Sequence, residues 1–408
     1  MSAAGKHSQP YPWEQRKLGE IATIVGGGTP STKNPEYWDG DINWYSPAEI
    51  GNQIYTEKSE RQITELGLKK SSAKLLPVGT VLFTSRAGIG KTAILNKEAC
   101  TNQGFQSIIP RSKMLNSYFL FSRTNSLKQY GETMGSGSTF VEVSGKQMSK
   151  MPLFIPNINE QSRIAKLFQS LDKTITLHEE KQRQLELLKK ALMQKMFADE
   201  TGYPILRFKG FSNAWKQRKL GEVSSLRGRI GFRGYKQTDL VEKGKGAITF
   251  SPSDIDDNGN ISFLNNKYIS IKKYEESPEI QVNTGDILFT KTASIGKIGY
   301  VRKLNEKATI NPQIALLTPK LDFNGYFIFL SIRNDAFMKK VLKIVGGSSV
   351  PTMSQEKLKN LTINFPSSIE QHKLATTFLK IDNLITLHQH KIDNLKLLKR
   401  ALLQKMFV

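Results

Sequence analysis

Apolar residues recur at three- and four-residue intervals through Glu160–Phe197 and again through Glu370–Phe407, a spacing that predicts a helix over each stretch. From Ile164 the seventh residues are Leu171, His178, Leu185 and Leu192, with Leu167, Phe168, Ile175, Leu188 and Met196 at the intervening offsets. The second stretch repeats the series as Leu374, Ile381, His388, Leu395 and Leu402, flanked by Phe378, Ile385, Ile392, Leu398 and Met406. The copies lie 210 residues apart and share about half their residues, the signature of a duplicated unit. A stripe this narrow on a charged helix suits one long partner helix rather than a broad core, and the obvious partner is the other copy. From Leu171 to Phe197 such a helix is roughly 40 Å long at 1.5 Å per residue. His178 and His388 hold matching places on the stripe, where a polar residue sets register. Two histidines at matching places are by themselves thin evidence for a metal site.

The rest of the chain is duplicated more loosely. Trp13 opens WEQRKLGE and Trp215 opens WKQRKLGE. Each is followed by an apolar strand run with a turn glycine before it, at Val78–Leu95 and Asn283–Val301. An Asn and Gln segment comes next, Asn102-Gln103-Gly104 or Asn311-Pro312-Gln313, and then a strand ending at Pro110 or Pro319. Helical stretches are expected near Asn116–Gly131 and Asn324–Lys343, Gly/Ser loops at Gly135–Ser144 and Gly346–Ser354, and short strands at Met151–Pro156 and Leu361–Pro366. Proline at each strand end and Glu-Gln in the first helical turn mark the passage into the long helices. The order is head, helix, head, helix, with boundaries at 13–156, 157–200, 201–366 and 367–408. If the helices run antiparallel, the chain closes on itself with approximate two-fold symmetry. The likeness fails only between Gly26–Glu49 and Arg227–Thr249, so one frame carries two different heads.

Charge narrows the partners. With 59 Lys and Arg against 36 Asp and Glu the chain carries a formal +23, which favours a polyanion, nucleic acid first. An anionic membrane fits less well, because no run of about 18 apolar residues occurs. The first residues, MSAAGKHSQP, lack the apolar segment of a signal peptide, and the single Cys100 excludes an intrachain disulfide, so a reducing cytoplasm is expected. Cys100 itself reads as a small buried residue.

Several motifs only resemble chemistry. Ala87–Thr92 ends like a phosphate loop, but Ser85 stands where the first glycine belongs and no long helix follows. Asn34-Pro35-Glu36-Tyr37 lacks the second proline of an amino-methyltransferase box. Glu179-Glu180-Lys181 reads as a solvated helix face, as do Lys189, Lys190 and Lys195. No catalytic triad, paired carboxylates or metal cluster stands out. The nucleic-acid signal is stronger: Arg227, Arg229, Arg233 and Lys236 alternate with Gly228, Gly231 and Gly234, letting backbone approach phosphates while arginine forks reach phosphates or base edges. Lys243 and Lys245 extend that loop, and Lys291 and Lys297 are further candidate contacts of the second head. The first head offers Thr29, Ser31, Lys33 and Asn34, with Arg86 and Lys91 further on, while Tyr37, Trp38, Trp44 and Tyr45 are expected to pack.

Taken together, Trp13–Glu20 with Trp215–Glu222, Phe83–Lys91 with Phe289–Lys297, and the helices from Glu160-Gln161 and Glu370-Gln371 to LMQKMF and LLQKMF resemble the specificity subunits of type I restriction and modification enzymes. The likeness covers about Trp13 to Val408. It implies an α+β fold: two α/β target-recognition domains, each reading half of a split double-stranded DNA site, joined by an antiparallel helical spacer. It further implies a chain without catalytic residues, metal or cofactor, acting as a platform for two modification subunits and for restriction/translocase subunits. S-adenosylmethionine, ATP and magnesium would then belong to those partners. Two competing readings are a self-contained nuclease or methyltransferase, and a coiled-coil scaffold that binds DNA without sequence preference.

Overall fold

The computed structural model describes residues 13–407 apart from 87, 136–140, 230–233, 293 and 346–351. The chain divides into two compact units, one of residues 1–178 and 391–408, the other of residues 179–390. Each unit therefore holds one head and a stretch of both long helices. Those helices are Ile158–Met196 and Ser368–Met406, 39 residues each, slightly longer at the start than the apolar spacing indicates.

In the first unit Glu14–Lys17 pairs antiparallel with Pro152–Ile155, tying the entry of the head to its exit. A five-stranded sheet runs Ala22–Gly26, Gln106–Pro110, Val81–Phe83, Thr92–Leu95, Tyr55–Thr56. Beside it a three-stranded sheet orders Arg61–Ile63, Trp38–Tyr45, Ala99–Thr101. The second unit repeats the plan. Lys216–Lys219 pairs with Thr362–Phe365, one sheet runs Ser224–Gly228, Ile314–Pro319, Ile287–Thr290, Ile298–Tyr300, and another runs Leu240–Val241, Lys267–Ile269, Ala247–Phe250, Ala308–Ile310.

The stretches without sequence likeness turn out to share topology. Trp38–Tyr45 lies parallel to Ala99–Thr101 and antiparallel to Arg61–Ile63, and Ala247–Phe250 lies parallel to Ala308–Ile310 and antiparallel to Lys267–Ile269. Backbone hydrogen bonds, which do not depend on side-chain identity, keep the ladder while the packing beneath it changes. In the first unit Trp38 and Trp44 meet edge to face at 5.2 Å, with Cys100 buried beside them. Tyr45 is buried and Tyr37 packs against the same cluster, so these aromatics are core. The predicted helical stretches each break in two, Ser117–Ser122 with Thr124–Met134 and Gly325–Arg333 with Asp335–Val345. Gly79 and Gly285, with φ of 85° and 95°, make the turns before the strands as anticipated. Residues 84–91 connect antiparallel strands, a hairpin and not a phosphate loop.

The helices pair antiparallel within each unit. In the first, Phe168 stacks on Phe407 with centroids 6.1 Å apart and Lys399 reaches Asp172; in the second, Phe197 meets Phe378 and Lys189 reaches Asp382. Two expectations need correction. The apolar stripe is not reserved for the partner helix, since Ile164, Ala165 and Phe168 enter the first head's core and Leu374, Ala375 and Phe378 the second's. Ile381 is also buried, Leu171, His178, Leu185, Leu192, His388, Leu395 and Leu402 are half-buried, and Leu167, Leu188 and Leu398 face solvent. Nor is Lys189 a solvated charge, its side chain being only 17% exposed against Asp382. A helix start also locks to its head in both units: Gln161 accepts from the Asn116 amide at 3.0 Å and Gln371 from the Asn324 amide at 3.2 Å.

Candidate DNA interface

In the second head three strand ends converge. Gly228 lies beside Ala315, which lies beside Phe289, so Arg227-Gly228 and Lys291-Thr292 leave the sheet at the same end. The Lys291 backbone is pinned on both sides, its amide donating to Gln313 O and its carbonyl accepting from the Met353 amide, both at 2.8 Å. Met353 follows the Gly/Ser loop and Gln355 opens the next helix. A methyl group added to Gly228 would lie 2.3 Å from Gln355 Nε2 and 3.4 Å from Lys291 Nζ, so both polar tips sit over this backbone. The site therefore gathers Gly228, Lys291 and Gln355 from three separate segments, while Arg227, one residue earlier on the strand, faces the other side of the sheet towards Glu279.

Their electrostatics differ. Arg227 is exposed and donates to Glu279 O at 3.3 Å, leaving most of its fork to solvent. Burial pushes the Lys291 ammonium below the usual lysine range, and its side chain makes no hydrogen bond or ion pair with any described residue. Lys291 is half-buried, so part of its ammonium still faces solvent. Lys236 exposes its side chain while its amide is capped by Asp239 at 2.6 Å.

Arg229 does not belong to this group. It is buried, with Nε donating to Ile310 O at 3.0 Å and Nη2 to Thr309 Oγ1 at 3.1 Å, and its guanidinium lies 5.6 Å from the Tyr235 ring. In the first head the carbonyl at the equivalent place, Thr101 O, is satisfied by the Gly28 amide at 2.8 Å. Arg229 thus stands where the first head has a backbone contact, and its guanidinium is spent on Ile310 O and Thr309 inside the head. Lys297 is also engaged elsewhere, reaching Ile255 O at 3.4 Å and Asp257 at 3.8 Å. Arg233 lies outside the described residues.

The first head places Ser85 where the second has Lys291. The Ser85 amide donates to Gly104 O at 2.8 Å and its carbonyl accepts from Val143 at 3.0 Å, the same two pins. Ser85 Oγ is buried and without a partner among the described residues. Next to it Arg86 is half-buried, its guanidinium 4.0 Å from Glu142. Thr29 donates to Gln103 Oε1 at 2.6 Å, so Gln103, beside Gly104, joins the group. Gly27 is held so close to the neighbouring strand end that a Cβ would lie 1.9 Å from Asn102 O, which fixes the path of the loop carrying Thr29, Ser31, Lys33 and Asn34. Ser31 and Lys33 are exposed and Asn34 is half-buried before a short turn of helix. Lys91 lies apart, its stem beside Gly51 in a cleft that also takes in Thr124 and Lys399.

Sequence reasoning missed Gln103 and Gln355. Both stand at strand or helix ends next to segments already singled out, but nothing in their own spacing marks them. Among the described residues no group of three or more His, Cys, Asp or Glu side chains is placed to hold a metal ion, and no helix is long and apolar enough to cross a membrane.

A family model described as Type I restriction modification DNA specificity domain matches residues 10–187 and again 212–397. The type I restriction enzyme MjaIX specificity subunit of Methanocaldococcus jannaschii is 30% identical, the match spanning 97% of this chain and 93% of that protein. The EcoR124I/EcoR124II specificity subunit of Escherichia coli is 31% identical over 43% of this chain and 45% of its own. Among solved structures, the S subunit of a type I restriction-modification system from M. genitalium superimposes with a TM-score of 0.63 at 15% identity, covering 99% of this chain and 98% of the other. A chain from a study of complex assembly and conformational transition in the type I R-M system gives 0.56 at 19% identity, covering 98% and 99%. At such identities the two structural likenesses establish the fold.

Proposed function

This chain belongs to the type I restriction modification DNA specificity family, and we propose from that premise how its parts are used. It is the subunit that recognises DNA sequence, with two domains, and it has no catalytic role of its own. Each head docks on one half of a bipartite duplex site. In the second head Arg227, Lys236, Lys291 and Gln355 make the contacts. In the first, Thr29, Ser31, Lys33, Asn34, Arg86 and Gln103 do so, largely by neutral hydrogen bonds suited to base edges. The observation that carries this reading is the duplicated meeting of strand ends, one built around Lys291 and the other around Ser85. The same backbone pins hold different side chains, as reading two unlike half-sites requires.

The helix pair sets the number of base pairs between the half-sites and docks the partner subunits. Leu177, Leu397 and Leu398 in one unit, and Leu387, Leu187 and Leu188 in the other, are each about half exposed. The two sets are the same positions of the repeat, which supports two copies of one partner, the modification subunit. Restriction/translocase subunits join the same assembly, and S-adenosylmethionine, ATP and magnesium act in those partners. The Leu187→Glu, Leu397→Glu double variant should remain folded yet lose co-purification with the modification subunit; retained capture would count against this face.

The decisive experiment maps methylated bases after co-expression with the modification subunit. Modification at one split sequence is expected. Replacing 215–366 with a different head should change one half of that sequence and leave the other, whereas changes in both halves would refute independent reading.

A further inference from the structure

The two long helices carry a duplicated buried cluster. In the first unit the Tyr118 hydroxyl donates to Asp172 Oδ2 at 2.6 Å, and Lys399 Nζ spans Oδ1 and Oδ2 at 2.5 and 2.8 Å. In the second unit Tyr326 donates to Asp382 Oδ2, Lys189 reaches Oδ1 at 2.6 Å, and Arg302 adds a bond at 2.8 Å. Asp172 and Asp382 are only 8% and 7% exposed. They occupy the same position of the repeat, as do Lys189 and Lys399. Each cluster thus joins a head helix and both long helices inside one unit.

We propose that these Tyr–Asp–Lys clusters are positioning groups that fix the register of helix on helix, and through it the spacer of the DNA site that the chain accepts. The inference rests on the reading that the helix pair sets that spacer. Its physical basis is the degeneracy of the apolar seam. Leu185 and Leu192 on one helix and Leu395 and Leu402 on the other are alike, so over this stretch a seven-residue slip exchanges leucine for leucine and the apolar contacts there do not tell the two registers apart. A slip would strand a buried carboxylate from its ammonium, which is strongly unfavourable. Buried ion pairs add little net stability against well-packed apolar residues but do discriminate among registers. Seven residues of helix span about 10.5 Å and one base-pair step about 3.4 Å, so such a slip corresponds to about three base pairs.

The test uses the first cluster, because Asp382 has Arg302 as an additional partner. The full chain bearing Tyr118→Phe, Asp172→Leu and Lys399→Met is assembled with the modification subunit. Methylation is then measured on a library of duplexes holding both half-sites at every spacer from three base pairs shorter to three longer than the natural one. Wild type should modify one spacer. The apolar variant should keep its melting temperature and half-site sequences, while methylation about three base pairs off rises at least about tenfold relative to the natural spacer, equal to about 1.4 kcal/mol of lost discrimination. A merely structural role would lower modification at every spacer alike. Should the triple variant fail to fold, Asp172→Asn, which keeps the shape and removes the charge, is expected to broaden the spacer in the same direction. An unchanged spacer profile in a folded variant overturns the inference alone. A wild-type complex indifferent to spacer overturns the inference and the gauge reading with it.

Discussion

Arg227 and Arg229 stand two residues apart in one glycine-spaced run and do different work. Arg227 leaves the sheet edge for solvent, whereas Arg229 turns inward to carbonyl and hydroxyl oxygens. Arg227→Ala should keep stability within about 0.5 kcal/mol while lowering DNA affinity and reducing the salt slope by about one. Arg229→Met leaves Ile310 O and Thr309 without their donor and should cost on the order of 3 kcal/mol. Denaturant melts and DNA titrations on the two variants separate these roles; equal stability would show that Arg229 is dispensable to the fold. Lys291 lies between the extremes, a half-buried cation beside Gly228. Lys291→Met is expected to raise stability by roughly 1 kcal/mol and to weaken DNA binding about tenfold or more. A variant that is less stable but binds normally would mean that Lys291 is a packing residue. Spacing of arginines and glycines suggested a polyanion interface, but only the path of the chain decides which of them points outward.

At the scale of elements, the head helices beginning at Ser117 and Gly325 hang on the long helices through Tyr118 and Tyr326. Burial first, and the neighbouring Asp172 or Asp382 next, push both phenols well above the usual tyrosine range. Because the folded value lies above the unfolded one, their contribution is intact below about pH 10, where the unfolded phenol begins to ionise, and is lost as pH rises beyond it. Melting temperature should therefore fall between about pH 9.5 and 11. In Tyr118→Phe with Tyr326→Phe that fall should be shallower from a lower starting stability. A slope identical to wild type would assign the alkaline loss to other groups. The helices themselves were legible from apolar periodicity, while their antiparallel pairing was implied only by the family resemblance. Periodicity counts apolar positions without saying what covers them, so the sharing of Ile164, Phe168, Leu374 and Phe378 with the head cores was not legible. The carboxylates were overlooked for the same reason, although the recurrence of Asp172 and Lys189 as Asp382 and Lys399 was a signal in plain view.

Across the whole molecule the charge is unevenly placed. Residues 201–366 hold 26 Lys and Arg against 14 Asp and Glu, while residues 13–156 hold 17 against 12. The second head is thus the stronger electrostatic anchor, and each phosphate it neutralises adds about −0.9 to the salt slope. Affinity for a duplex retaining only the second head's half-site should fall more steeply with salt than affinity for one retaining only the first's, by competition at matched ionic strengths; equal slopes would locate the excess charge away from the DNA. The sequence alone determined the duplication, the α+β class, the order of heads and helices and the polyanionic partner, because repeats, apolar period and net charge are properties of the chain as a string. It placed the variable stretches too, though not their common topology, since strand pairing depends on backbone bonds that side chains do not announce. Only the tertiary structure decided that Lys291 and Gln355, or Ser85 and Gln103, meet at one end of a sheet, that Arg229 is interior, and that Tyr, Asp and Lys from three segments close a buried cluster. Those are contacts between residues distant along the chain, and their energies depend on burial and geometry that exist once the chain is folded.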